Sequence, residues 1–465
     1  MKYISTRGEG EESNFEEVLL SGLATDGGLY VPKIWPTIEY DELETFSQMS
    51  YQEIAFLVMR RFTGDTFSDH EFRKMINAAY SGFDHKSICP LVQLSENHFL
   101  LELFHGPTLA FKDVAMQLIG QMFEHVLRKK NLRATVIAAT SGDTGAAAMA
   151  AFKNSEMVDI FVLFPLGRVS EVQQRQMTTL GRPNIHALAL EGNFDDCQAL
   201  VKKMFNDSKF RKSVNLTGVN SINWARVMSQ IVYYFTAATA LGAPKRKISF
   251  TVPTGNFGDI FAAYVAKKMG LPLDMLVIAS NENDILHRTL LTGVYRKKIL
   301  RQTISPSMDI QVASNFERLL FDLHEGSSKL IRMLMQNLDK DGSFDLSPKV
   351  LDKLRESFSS GTTSDEDTLK TIKKVLKDFG ELICPHTAVG LAVANQEIKN
   401  IKKSPMITLA TAHPSKFPVA VKRSTGVLPA LPTRYDDLYS RNEVVTHVKN
   451  SLNEIQAIIS ERILP

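Results

Sequence analysis

The sequence predicts an α/β protein built of two parallel-sheet α/β domains, with an N-terminal segment in front and a helical insertion late in the chain. Three observations carry this. Short apolar strands alternate with helices from about residue 90 onward. Two loops of one form, Thr140-Ser141-Gly142-Asp143-Thr144-Gly145 and Pro253-Thr254-Gly255-Asn256-Phe257-Gly258-Asp259, each join a strand to a helix. The alternation then lapses over about 285–380 into charged, helical sequence. A chain of 465 residues is long enough for two or more such cores.

Taken in order, residues 1–90 read as a mixed or helical leading segment. A turn-rich loop at 22–32 is followed by apolar residues three and four apart over 51–62 and 69–80. Arg7, beside a glycine, is expected to be a solvated arginine. Strands are expected at 98–103, 134–139, 159–164 and 185–190, with helices at 114–127, 144–152, 169–179, 194–206 and 224–241. A second series gives a strand at 248–252, a helix at 258–269 and a strand at 275–279. The insertion is broken at 325–328 and 359–364, both expected to be exposed loops. A last core strand is expected at 406–410, before a polar, helical tail. The division that follows is 1–90, 91–243 with a smaller mobile domain at about 135–225, and a larger domain at 244–465.

The apolar share is 44%, the charged share 23% and the net charge +3, values of an ordinary globular chain. No basic tract with interleaved aromatics suggests nucleic acid, and no run is apolar enough to span a bilayer. The N-terminus lacks the apolar core of a secretory signal. Cys89, Cys197 and Cys384 lie far apart and match no metal spacing, so reduced thiols and a cytoplasmic protein are expected. No nucleic-acid, membrane or metal partner is expected, and monomer against homodimer stays open.

The chemistry centres on Lys112, set among apolar residues after Gly106-Pro107. An amine in apolar surroundings loses part of its preference for the charged form and becomes a usable nucleophile for an aldehyde. The alternative is a lysine at a helix start whose head snorkels to water. The two loops are anion sites by construction, because glycines admit a ligand close to the backbone and helix-start N–H groups point outward. In an open parallel sheet such loops lie where ligands bind. Two of them suit ligands with two acidic groups, one a phosphate and the other a carboxylate. Neither loop matches the nucleotide phosphate loop or the dinucleotide glycine spacing. Three further polar stretches flank core elements. Asn220–Arg226 supplies donors and an arginine, with helix capping as the plain reading of Asn220 and Ser221. Thr411–Phe417 follows the last strand, and Cys384–Gly390 opens a helix that His386 would cap.

In this order, His105-Gly106-Pro107-Thr108-Leu109-Ala110-Phe111-Lys112-Asp113, Ser141–Gly145, Glu191–Asp196, Asn220–Arg226, Gly255–Asp259, Pro385–Ala388 and Ala410–Pro414 resemble the threonine synthase family. These are pyridoxal 5'-phosphate (PLP) enzymes of fold type II, the tryptophan-synthase-β group, and the length resembles the longer bacterial and fungal branch. The resemblance implies that Lys112 is the Schiff-base lysine and that Gly255, Asn256, Phe257, Gly258 and Asp259 cradle the cofactor phosphate. Thr411 would face the pyridine nitrogen. Ser141, Gly142, Asp143 and Thr144 would hold the substrate α-carboxylate and the ring edge, and Asn220, Ser221 and Arg226 the substrate phosphate. The implied reaction turns O-phospho-L-homoserine and water into L-threonine and phosphate, the last step of threonine biosynthesis. Two rivals remain at this stage. One is a phospholyase on the same scaffold that releases 2-oxobutyrate, ammonia and phosphate. The other is a non-catalytic module that binds a phosphorylated ligand.

Overall fold

The computed structural model describes residues 1–8, 10–398 and 404–464. Its strands, in chain order, are β1 (Tyr3–Ser5), β2 (Tyr30–Pro32), β3 (Leu91–Ser95), β4 (His98–Glu102), β5 (Ala134–Ala139), β6 (Val158–Pro165), β7 (Ile185–Leu190) and β8 (Leu216–Thr217). They continue as β9 (Ile248–Pro253), β10 (Leu273–Ser280), β11 (Val294–Arg296), β12 (Ser343–Asp345), β13 (Phe358–Thr362), β14 (Met406–Ala410) and β15 (Thr446–Val448). The larger sheet has the order β13-β10-β9-β14-β4-β3, parallel except for β3 at one edge. The smaller sheet, β15-β7-β6-β5-β8, is parallel throughout. Their central strands are predominantly apolar and buried on both faces, as parallel sheets require. The α/β class with two parallel sheets is therefore observed.

Three expectations about elements change. Residues 359–364, expected as an exposed loop, instead supply most of β13 at the edge of the larger sheet. Serine and glycine there are a packing requirement. A Cβ on Gly361 would stand 2.8 Å from Val393 Cγ1, on the helix Pro385–Glu397 that covers the strand. The tail is not only helical, since β15 adds an edge to the smaller sheet. Arg7 is not solvated. It is held by Glu317, with Nε 3.1 Å from Oε1 and Nη2 3.0 Å from Oε2.

The leading segment belongs to the core. Trp224 opens the buried helix Trp224–Ala240, and its ring meets Tyr3, Trp35 and Phe62 at 6.0, 6.0 and 5.6 Å between centroids. Cys197 fills the core on the helix Phe194–Asn206, and all three cysteines are buried and free. Among the described residues no helix is long and apolar enough to cross a membrane, and no group of acidic, histidine and cysteine side chains is placed to hold a metal.

The helix Lys112–Lys130 crosses the helix Asp143–Phe152 at Gly120, where an added Cβ would lie 2.6 Å from the Ala151 carbonyl oxygen. The glycine lets the two helices approach, and both begin at the candidate site. Helix propensity alone favours alanine over glycine by about 1 kcal/mol. The backbone oxygen cannot move aside, so overpacking dominates. Gly120→Ala is expected to destabilise the chain by about 1–3 kcal/mol in denaturant unfolding.

Candidate active site

Lys112 is the first residue of its helix, 7% exposed. A main-chain clasp places it. Phe111 N donates to Thr411 O at 2.8 Å and His413 N to Leu109 O at 3.0 Å, with an antiparallel bridge between Ala110 and Ala412. The lysine thus starts beside Thr411, at the carboxyl end of β14. Burial pulls the Lys112 ammonium below its ordinary value, opposed by Asp143 and reinforced by Lys416 and Arg226.

The loop after β5 brings Asp143 to the lysine, with Oδ2 3.3 Å from Lys112 Nζ. Gln173 Nε2 donates to Oδ1 at 2.8 Å, and Lys416 Nζ stands 2.9 Å from the same oxygen. Burial opposes ionisation of this carboxyl, yet Lys416 and Lys112 hold it well below the usual carboxylate range. Thr140 Oγ1 accepts the N–H groups of Gly142 and Gly145, each at 2.9 Å. Gly142 N is therefore committed within the loop. The N–H groups of Ser141, Asp143 and Thr144 have no partner among the described residues. Gly142 also has φ of 131° and lies against Gln173, so no side chain fits there.

The loop after β9 is a second cradle. The backbone N–H groups of Gly255, Asn256, Phe257, Gly258 and Asp259 have no partner among the described residues, at the start of the helix Gly258–Lys268. A Cβ on Gly255 would lie 2.7 Å from Ser307 O. Phe257 takes a left-handed backbone, φ 65°, with its ring buried beside Phe316 and Phe358. A row of unmet donors at a helix start is what a phosphate satisfies. Asp259 can join through its N–H alone, because its carboxylate is turned into the core. Tyr234 Oη donates to Oδ1 at 2.7 Å, Tyr233 Oη donates to the same atom, and burial raises the carboxyl to about 6.

Arg226 is 4% exposed and has no carboxylate partner among the described residues. Nη1 reaches only the Val219 carbonyl, at 3.4 Å, and burial lowers the guanidinium to about 10. Asn220 is exposed and Ser221 half-buried at the mouth of the same turn. The helix cap is Asn223 rather than either of these. Thr411 is buried, and its hydroxyl has no partner among the described residues. His386 does not cap its helix, since Cys384 does. Its Nε2 accepts Ser307 N at 3.1 Å, and burial pushes it down to about 3, so it is neutral.

Four contributors were given no role from the sequence, although Lys416 lies in the polar stretch 411–417. Lys416 and Gln173 both reach Asp143, although Gln173 already serves the capping box of Ser170. Asn315, at the start of the insertion helix Phe316–Leu323, donates through Nδ2 to Ser221 O at 3.1 Å and Asn256 O at 3.0 Å. It ties the arginine turn to the second cradle. Arg318, wholly buried, holds Asn315 and the Tyr30 carbonyl. The insertion therefore shapes the site at the start of the helix Phe316–Leu323.

A buried amine, a neutral hydroxyl at a strand end and a donor-lined phosphate cradle are the parts that PLP needs, and they fit it. Fold and site define a PLP-dependent enzyme of fold type II. Comparison with known proteins narrows this. Family models described as threonine synthase N terminus, pyridoxal-phosphate-dependent enzyme and threonine synthase C-terminal match residues 2–80, 87–412 and 387–459. The threonine synthase of Pseudomonas aeruginosa is 50% identical over 99% of this chain and 98% of its own. That of Saccharomyces cerevisiae is 41% identical over 91% and 88%. The PLP-bound threonine synthase structure from Brucella melitensis superposes with a TM-score of 0.97 at 53% identity, covering 99% of each chain. The chain belongs to the threonine synthase family of PLP-dependent enzymes. The phospholyase and binding-module readings are not favoured.

An unpaired buried guanidinium is a standing cost to the fold, relieved when an anion binds. Arg226→Met is expected to raise the thermal midpoint of the anion-free protein. The same variant should lose at least half of the stabilisation that inorganic phosphate gives the PLP-loaded wild type, both read in a thermal scan.

Proposed function

We propose that Lys112 carries the cofactor and that the chain converts O-phospho-L-homoserine and water to L-threonine and phosphate. The observation that carries the residue assignment is the convergence of buried Lys112, the five free N–H groups at 255–259 and the unpaired Arg226. PLP, when bound, offers an aldehyde to the substrate amine and a ring that spreads the charge left at the α-carbon. Residues 255–259 would hold the cofactor phosphate through their N–H groups, and Lys112 would hold its aldehyde carbon. Thr411 Oγ1 would face the pyridine nitrogen as a neutral partner, which would leave that nitrogen largely unprotonated. The free amides of Ser141, Asp143 and Thr144 take the substrate α-carboxylate. Arg226, with Asn220 and Ser221, takes the substrate phosphate.

Lys112 Nζ, once free, removes the α-proton, and its depressed basicity suits it to that work near neutral pH. A β-proton leaves, phosphate departs from the γ-carbon into the Arg226 turn, and that carbon is reprotonated. Water then adds its hydroxyl at the β-carbon, and the α-carbon takes a proton back from Lys112. Lys112 is the carrier for these protons. The unit at about residues 135–225, with β15 added to its sheet, closes over the substrate and excludes bulk water. Asn315 keeps the two phosphate turns in register during closure.

Two outcomes test this. Incubation with O-phospho-L-homoserine is expected to give threonine and phosphate in equal amounts. Oxobutyrate without threonine would place the chain with the phospholyases instead. Lys112→Ala is expected to stay folded and lose about 10²–10⁴-fold or more in turnover, read under saturating substrate.

A further inference from the structure

Lys416 has no part in the roles above, yet it sits at their centre. It ends the short turn Pro414–Lys416 after β14, and its side chain is wholly excluded from solvent. Nζ donates to Thr108 O at 2.6 Å and stands 2.9 Å from Asp143 Oδ1. Lys112 Nζ is 3.3 Å from the other oxygen, Oδ2. One buried carboxylate is thus shared by two ammonium groups. Lys416 comes from the carboxyl edge of the larger sheet, and Asp143 from that of the smaller.

A lone Asp143 would hold a proton on Lys112, because an opposite charge at this distance favours the charged amine. It would also repel an anionic substrate group beside it. A second ammonium on the same carboxylate cancels most of that field. We propose that Lys416 is a positioning residue for the reaction, which neutralises Asp143 and so keeps the Lys112 nitrogen free to lose its proton near neutral pH. The inference rests on Lys112 as the cofactor-bearing amine.

The other charged or titratable groups around the pair are few. Arg226, on the helix Trp224–Ala240, and Asp259, on the helix Gly258–Lys268, act on Lys112. His386 acts on the cluster from the helix Pro385–Glu397, while Cys384 at its cap feels Asp143. Asp113 faces Lys416 and is held by Thr108 N and Oγ1, each at 2.7 Å, and His413, kept neutral by burial, also feels Lys416. Burial keeps His386 neutral and raises Cys384. Asp259 and Asp113 are carboxyls also raised by burial, so the comparison belongs at neutral pH and above.

The test is the rate at which the full chain, freed of cofactor, captures added PLP on Lys112 across pH. Growth of the visible band gives the rate, and peptide mapping identifies the lysine. Two unit charges about 5 Å apart in a protein interior couple strongly enough to move an amine by about one pH unit or more. Lys416→Met is therefore expected to slow capture about tenfold near neutral pH and to displace its pH profile upward by about one unit. Lys416→Arg, which keeps the charge, should stay within about threefold of wild type, an outcome a mere packing role does not predict. Equal wild-type and Lys416→Met profiles overturn the inference. Should Lys416→Met fail to fold, Asp143→Asn is compared with Asp143→Asn/Lys416→Met, in which no buried carboxylate is stranded. The double variant is expected to capture PLP about tenfold more slowly, and equal rates overturn the inference. Cofactor mapped to another lysine removes the underlying reading instead.

Discussion

The site depends on one buried carboxylate. Asp143 meets Lys112 on one oxygen and Lys416 on the other, and its three charges come from separate elements of two sheets. None of these groups would be buried alone, since an unpaired charge in a protein interior costs several kcal/mol or more, about the whole stability of a domain. Asp143 and Lys416 compensate each other, which leaves Lys112 free to give up its proton. Arg226 then makes the enclosed space attractive to anions. The glycine contact at Gly120 and the main-chain clasp at Thr411 serve this geometry, because they fix where the two helices begin.

The same logic explains what the fold leaves unsatisfied. Among the described residues, five consecutive amides at 255–259 and three around Asp143 lack partners, and the guanidinium of Arg226 meets only the Val219 carbonyl, while Asn315 and Arg318 nearby are engaged. Asn315 spends its amide on two carbonyls, and Arg318 is spent on Asn315 and Tyr30. Unmet donors are gathered where a cofactor phosphate, a substrate phosphate and a carboxylate are needed. Asn315 and Arg318 are tied to the scaffold, so ligand binding need not disturb the contacts that present the two turns.

The parts of this site carried by contiguous residues were legible in the sequence. Lys112 and both loops announce themselves through turn glycines between a strand and a helix, and the α/β class through apolar runs. Lys416 and Asn315 were not legible, since their partners lie far away in the chain. Lys416 meets Asp143 across more than half the sequence, and Asn315 stands in a region whose charged periodicity reads as surface. Arg7 misled for the same reason, because its partner Glu317 is 310 residues away. Strand β13 was hidden by composition. Serine and glycine suggest a loop, but small residues there are what the covering helix demands.

The most direct test of the account is borohydride reduction of the PLP-loaded protein, followed by peptide mapping. The visible band should bleach, with the cofactor fixed on Lys112 and on no other lysine. Cofactor fixed on Lys416, or a protein that takes up no PLP, would contradict the account. The buried charge cluster would then need another purpose.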